Sequence, residues 1–228
     1  MMKIAEIFYS VQGEGSLIGV PSVFVRTSGC NLRCSWCDTP YTSWAPEGEQ
    51  HTLEQIVLAV RSFRAKHVVL TGGEPMMFPE IVDLTASLRS SGFHITIETA
   101  GTLFQPVQCD LMSISPKLAN STPHEREGGK WAAQHERLRY QPEILRRLIG
   151  FYRHQLKFVI AEPRDIDEVV EIVAAIDANP ADVVLMPEGT EGAVLRERAA
   201  WIVEICKERG YRFSPRLHVD IWGDERGR

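Results

Sequence analysis

The chain has 228 residues, 44% of them hydrophobic and 24% charged, an ordinary globular mixture that excludes disorder or low complexity as its working principle. Twenty-five Lys and Arg against thirty Asp and Glu leave a formal charge of −5, which excludes gripping nucleic-acid phosphates as its main business. A chain of this length buries roughly 70% of its unfolded surface without disulfide staples, so one domain over 1–228 is expected. Apolar runs such as 68–70 and 183–186 fall far short of the ~20 residues that span a bilayer, and residues 1–10 lack a signal-peptide core, so a cytoplasmic protein is expected.

In chain order, short β-branched runs predict strands over 22–26, 67–71, 93–98, 111–115, 155–160, 182–186 and 217–221. Thr52 and Gln55 form a capping box that opens a helix to about residue 65. Pro79 suits a first helical turn, and that helix closes at Gly92. Val169, Val170, Val173 and Ile176 make an apolar stripe opposite Asp167, Glu168 and Glu171, and a last helix over about 191–209 is stopped by Gly210. Strand and helix alternating in this way predict an α/β fold of stacked βαβ units around a parallel sheet. About six units fit, fewer than the eight of a complete barrel of ~250 residues, so the expected architecture is a partial, open βα barrel. A cysteine loop over 28–51 and a charged insertion over about 120–140, solvated and with some helix, interrupt the pattern.

Three of the five cysteines, Cys30, Cys34 and Cys37, fall within eight residues, while Cys109 and Cys206 stand apart and read as core residues. An odd count with one dense cluster is poor disulfide arithmetic. Soft thiolates at this spacing suit zinc or an iron–sulfur cluster. A structural zinc site needs a fourth Cys or His at a short offset, and the nearest candidate, His51, lies fourteen residues past Cys37. A cubane held by three thiolates has a use for the missing ligand, because its fourth iron stays open to a substrate or cofactor. The remaining motifs sit at predicted strand ends, on one rim of a barrel: Thr71-Gly72-Gly73-Glu74-Pro75, Glu98-Thr99 and Ser115-Pro116-Lys117. Paired glycines at such a position let backbone approach a ligand closely.

With Trp36 ahead of the last cysteine, this loop resembles that of the radical S-adenosylmethionine (SAM) enzymes. The resemblance implies a 4Fe-4S cluster on Cys30, Cys34 and Cys37, with SAM chelating the open iron and yielding a 5′-deoxyadenosyl radical. It assigns Trp36, Cys37, Asp38, Gly73, Ser115, Pro116 and Lys117 to SAM, and leaves Glu98 and Lys157 between SAM contact and ion pairing. Ser10-Val11-Gln12-Gly13-Glu14-Gly15, followed by Arg26 and by Cys37-Asp38-Thr39, is similar to one branch of that family, the 7-carboxy-7-deazaguanine synthases. That branch converts 6-carboxy-5,6,7,8-tetrahydropterin to 7-carboxy-7-deazaguanine with loss of ammonia.

The branch implies a pterin substrate held by Gln12, Gly13, Glu14, Arg26, Thr71, His218 and Arg228, and Mg2+ at Thr39. It further implies a homodimer and an electron from flavodoxin or ferredoxin. The residue types suit such a ligand: one carboxylate accepts adjacent pterin N–H groups, and an arginine pairs with a substrate carboxylate. No side chain is assigned acid–base work. Two other readings stay open: an activating enzyme that installs a glycyl radical on a partner protein, and a non-enzymatic zinc or electron-transfer module.

Overall fold

The computed structural model describes residues 1–228. Strands β1 (Met2–Val11) and β2 (Pro21–Thr27) form an antiparallel hairpin, with the short β3 (Glu49–His51) on the far side of β1. From β2 onward every neighbour is parallel: β4 (His67–Gly72), β5 (His94–Thr99), β6 (Leu111–Ile114), β7 (His154–Ile160), β8 (Val183–Pro187) and the two-residue β9 (Arg212–Phe213). The sheet order is β3-β1-β2-β4-β5-β6-β7-β8-β9, and its two edges do not pair. An open βα barrel with six substantial parallel strands is therefore what the alternation in the sequence predicts.

The helices are α1 (Pro40–Ser43), α2 (Leu53–Arg61), α3 (Ile81–Ser90), α4 (Ala132–Arg139), α5 (Pro142–Phe151), α6 (Asp165–Ala175), α7 (Gly192–Arg209) and α8 (Leu217–Trp222). No helix is long and apolar enough to cross a membrane. Alternate strand residues divide the sheet into two faces. Val23 and Val25, Val68 and Leu70, Ile95 and Ile97, Met112 and Ile114, and Leu156 and Phe158 join one apolar core that takes in Leu84, Leu145, Val169 and Ile202 of the helices. The intervening residues face the barrel interior and are mostly polar, among them Arg26, Thr71, Thr96, Glu98, Ser113 and Lys157, with Phe24 and Val69 among the apolar ones. Register sets Arg26 beside Thr71, Glu98 beside Ser113, and Ser113 beside Gln155.

Four expectations need correction. Residues 217–221, predicted as a strand, form α8, because a five-residue alternation of apolar side chains fits either period and β9 already occupies the place next to β8. β1 was absent from the predicted set, although it is the longest strand of the sheet. The helix predicted to about residue 65 ends at Arg61, where the Ser62 hydroxyl turns back to donate to the Ala59 carbonyl at 2.7 Å. Pro79 lies in the turn before α3 and not in its first turn. The insertion holds short 3-10 turns at Ala119–Ser121 and Arg126–Gly129, followed by α4, as its mixed composition suggests.

Leu70 is fully buried on the core face, whereas Leu58, on α2, is 71% exposed. Leu70→Ala is expected to lower unfolding free energy by about 2–5 kcal/mol, and Leu58→Ala to change it by less than about 0.5 kcal/mol. Urea denaturation midpoints of the two variants measure both; equal losses would contradict the assignment of faces.

Candidate active site

The cysteine loop leaves the C-terminal end of β2 and is fixed from two sides. On the barrel side, Gly29 donates to the Thr42 carbonyl at 2.8 Å and accepts from the Glu74 amide at 2.9 Å. A Cβ on Gly73 would lie 2.0 Å from the Gly29 carbonyl oxygen and 2.8 Å from that of Thr42. This glycine therefore lets the β4 end pack against the cysteine loop, a reason additional to ligand approach. Glu74 is fully buried and accepts from the Met76 and Ala100 amides and the Thr99 hydroxyl, so it ties the β4 and β5 ends together.

From outside, the charged insertion holds the same loop. The Arg33 amide donates to His135 Nδ1 at 3.1 Å, and His135 Nε2 lies 2.8 Å from Ser121 Oγ, which itself donates to the Leu118 carbonyl at 2.6 Å. That chain of donors sets the tautomer: Nδ1 accepts and Nε2 carries the proton. Trp36 Nε1 donates to the Asn120 carbonyl at 3.1 Å, and Trp44 Nε1 to the Cys34 carbonyl at 3.0 Å. Arg126 stacks 3.9 Å from the centre of the Trp44 ring.

All three clustered cysteines are free and line a cavity of about 780 Å³ at the strand C-termini. Burial pushes the Cys30 thiol well up and that of Cys34 up to about 12. Such thiols become thiolates when a bound cation supplies compensating charge. No three His, Cys, Asp or Glu side chains are gathered into a finished cage. The fit to an iron–sulfur cluster lies instead in the donor set: three soft ligands, Cys34 buried and Cys30 and Cys37 partly so, on one short loop and lining one cavity. Cys109 and Cys206 lie outside that cavity and pack against or within the core.

The wall facing the cysteines is a strap, the β1–β2 connection. Gln12 Nε2 donates to Glu98 Oε1 at 3.0 Å, and Thr71 Oγ1 donates to Glu98 Oε2 at 2.8 Å. Glu14 is paired with Lys157 through one oxygen and with Arg216 through the other. Although burial opposes its ionisation, these two cations hold the Glu14 carboxyl well below the usual carboxylate range. Glu98 and Lys157, which the sequence leaves between two roles, are thus engaged by the strap. Arg26 Nε lies 2.6 Å from Glu6 Oε1, without hydrogen-bond alignment, and its guanidinium is 5.3 Å from the centre of the Phe8 ring. Phe8 in turn stacks on Phe24, with centroids 5.1 Å apart, and both rings line the cavity.

The chain's end completes the wall. His218 sits against Gly13, where a Cβ would fall 2.0 Å from its Nδ1, and the Leu217 amide donates to the Gly13 carbonyl at 2.9 Å. Arg228 reaches the cavity while paired with Glu225. Trp36, Asp38, Gly73, Ser115, Lys117, Thr39 and Thr71 also line it, and Lys117 Nζ donates to Ser115 Oγ at 2.7 Å. Pro116 is buried behind that wall and does not reach the cavity. Thr39 stands at the N-terminus of α1, yet its hydroxyl makes no capping bond.

Sequence reasoning missed Arg216 and Phe24. Phe24 had a signal, lying two residues before Arg26 and so on the same strand face. Arg216 had none, because its partners are remote in sequence.

A sequence profile described as the radical SAM superfamily matches residues 24–118. A 7-carboxy-7-deazaguanine synthase of Halobacterium salinarum is 46% identical, over 98% of this chain and 91% of that protein. One of Rhodopirellula baltica is 43% identical, over 99% of this chain and 88% of that protein. Among solved structures, QueE from Escherichia coli superposes with a TM-score of 0.70 at 27% identity, covering 95% of this chain and 94% of that one.

Burial holds the His135 imidazole down at about 4, against an ordinary value of 6.5. Between these values only the unfolded chain takes up the proton, so the stability that His135 provides is complete above about pH 6.5 and is lost as pH falls toward 4. The difference in urea midpoint between the native protein and His135→Gln is expected to be larger at pH 7 than at pH 5. A gap independent of pH would contradict the neutral, buried assignment.

Proposed function

The chain belongs to the 7-carboxy-7-deazaguanine synthase family, a branch of the radical SAM superfamily, and we propose that its cavity converts 6-carboxy-5,6,7,8-tetrahydropterin to 7-carboxy-7-deazaguanine with release of ammonia. The observation that carries this reading is the pairing of two walls in one cavity: three free thiols on one side, and Gln12, Glu14 and Arg26 on the other.

Cys30, Cys34 and Cys37 would hold the 4Fe-4S cluster, and Trp36, Asp38, Gly73, Ser115 and Lys117, which line the same cavity, would border SAM. Cluster and SAM together, when bound, supply the one-electron chemistry that removes a hydrogen atom from the substrate carbon bearing the carboxylate. The protein's own task is to bind and aim. Glu14, kept ionised by Lys157 and Arg216, has lone pairs left to accept adjacent pterin N–H groups. Gln12 and Thr71 are oriented by Glu98 and add neutral hydrogen bonds. Arg26, steadied by Glu6 and lying over Phe8, offers its guanidinium to the substrate carboxylate. Glu6 is fixed in turn by the Tyr41 hydroxyl at 2.7 Å and by Arg226 at 3.3 Å. His218 and Arg228 add to the pocket wall on the C-terminal side.

Mg2+ would be held at Thr39, which lines the cavity and whose hydroxyl makes no capping bond, its contacts being the Thr42 hydroxyl at 3.5 Å and the Cys37 sulfur at 3.8 Å. A single protein oxygen suits an ion that keeps waters and substrate oxygens in its shell. The enzyme works as a cytoplasmic homodimer and draws its electron from flavodoxin or ferredoxin, as the family resemblance implies. Gln12, Glu14 and Arg26 on one wall of the cavity suit a small carboxylated heterocycle and have no evident use for the loop of a partner protein, which speaks against a glycyl-radical activating enzyme.

The test is an anaerobic assay of iron-reconstituted protein with SAM, reductant, Mg2+ and the carboxytetrahydropterin, read by mass. Formation of 7-carboxy-7-deazaguanine supports the reading, and 5′-deoxyadenosine without a deazapurine refutes the substrate. Arg26→Gln is expected to lower kcat/KM on the order of a hundredfold by removing a charge-assisted pair. Thr39→Ala is expected to raise the Mg2+ concentration needed for half-maximal rate; an unchanged Mg2+ titration would remove that site.

A further inference from the structure

Arg216 meets three segments of the chain with three different nitrogens. Nε donates to Glu14 Oε1 at 3.1 Å, one terminal nitrogen to the Gly189 carbonyl at 2.7 Å, and the other to Asp38 Oδ2 at 2.5 Å. Glu14 belongs to the wall assigned to the pterin. Asp38 follows Cys37, on the wall assigned to the cluster and SAM.

A guanidinium is planar, and its donors point in fixed directions. With each nitrogen committed, a shift of one carboxylate changes the distance or angle left for the other. Neither water nor a rotamer change relieves this easily, because the Arg216 side chain is only 8% exposed. Nor can its backbone follow: the Gly15 amide donates to Ser214 Oγ at 2.7 Å, and Leu217 donates to the Gly13 carbonyl at 2.9 Å, so the segment is stitched to the strap on both sides of Arg216. Lys157 differs, since its ammonium meets Glu14 alone. Asp38 is anchored through one oxygen, and no hydrogen bond reaches the other.

We propose that Arg216 is a positioning residue that couples the two halves of the pocket, so that pterin on Glu14 sets the place of Asp38 and thereby favours SAM on the cluster side. This rests on the functional reading above. Linkage makes the effect reciprocal: SAM must favour the pterin by the same factor.

The measurement is the Kd of SAM on the reconstituted, unreduced enzyme, with and without the carboxytetrahydropterin. In the native protein the pterin is expected to tighten SAM binding on the order of tenfold. In Arg216→Gln, in Arg216→Lys and in Asp38→Ala the pterin is expected to leave SAM affinity unchanged. A native protein that binds no pterin overturns the functional reading itself. Equal coupling in native protein and Arg216→Gln, or no coupling in a native protein that binds both, overturns this inference alone. Hydrogen exchange on the chain without cofactors gives a second readout: Arg216→Gln is expected to raise exchange at 13–15 and at 37–39 together, and a rise confined to 214–218 would overturn the coupling. Should Arg216→Gln fail to fold, Asp38→Ala carries the binding test, because that side chain is 41% exposed and its loss breaks only one of the three bonds.

Discussion

Glu14 is a carboxylate inside a barrel, and the rest of the pocket is arranged around keeping it charged there. Taking an ion out of water costs several kcal/mol, recovered only where partners of opposite charge and good geometry are present. Lys157 and Arg216 are those partners, with side chains 8% exposed each against 14% for Glu14. One cation comes from the middle of β7 and the other from the segment before α8, so the N-terminal strap cannot settle until the last sheet strands and the chain's end are in place. A network of this kind is weak evidence for extra stability. Its value is geometric: it fixes an ionised acceptor at one spot in a cavity that must hold a flat, donor-rich heterocycle.

The parallel strands from β2 to β8 were legible because each carries a short run rich in β-branched or other apolar residues between helical patterns, a local signal that β1 and the two-residue β9 did not give clearly enough. The capping box was legible for a similarly local reason: the Thr52 amide donates to Gln55 Oε1 at 2.8 Å, and Thr52 Oγ1 accepts from the Gln55 amide at 3.2 Å. Where the sequence misled, two local readings were equally good. Leu217, Val219 and Ile221 alternate like a strand, yet the backbone at Leu217 answers to Gly13 and not to β8. The cysteines and the strand-end motifs could be read because their chemistry is carried by neighbours in sequence. Arg216 could not, since it stands 202 residues from Glu14 and 178 from Asp38, and a lone arginine near a terminus carries no periodic or spacing signal.

The glycines of the Gln12-Gly13-Glu14-Gly15 segment show how a binding motif also records contacts between distant parts of one chain. A Cβ on Gly13 would strike the His218 ring at 2.0 Å, and one on Gly15, where φ is +71°, would lie 2.2 Å from Gln155 Nε2. Neither glycine is therefore explained by ligand approach alone. Gly15 lets the strap turn down into the barrel onto β7, and Gly13 lets α8 lie flat on the strap. Glu14 is carried between them at the one height where Lys157 and Arg216 both reach it. A larger residue at position 13 would lift α8 and draw Arg216 from Glu14 and Asp38 at once, so that a steric change at the strap would be felt on the cluster side of the cavity. The motif, the C-terminal segment and the residue after the third cysteine are thus joined by direct contacts, although no stretch of sequence contains all three.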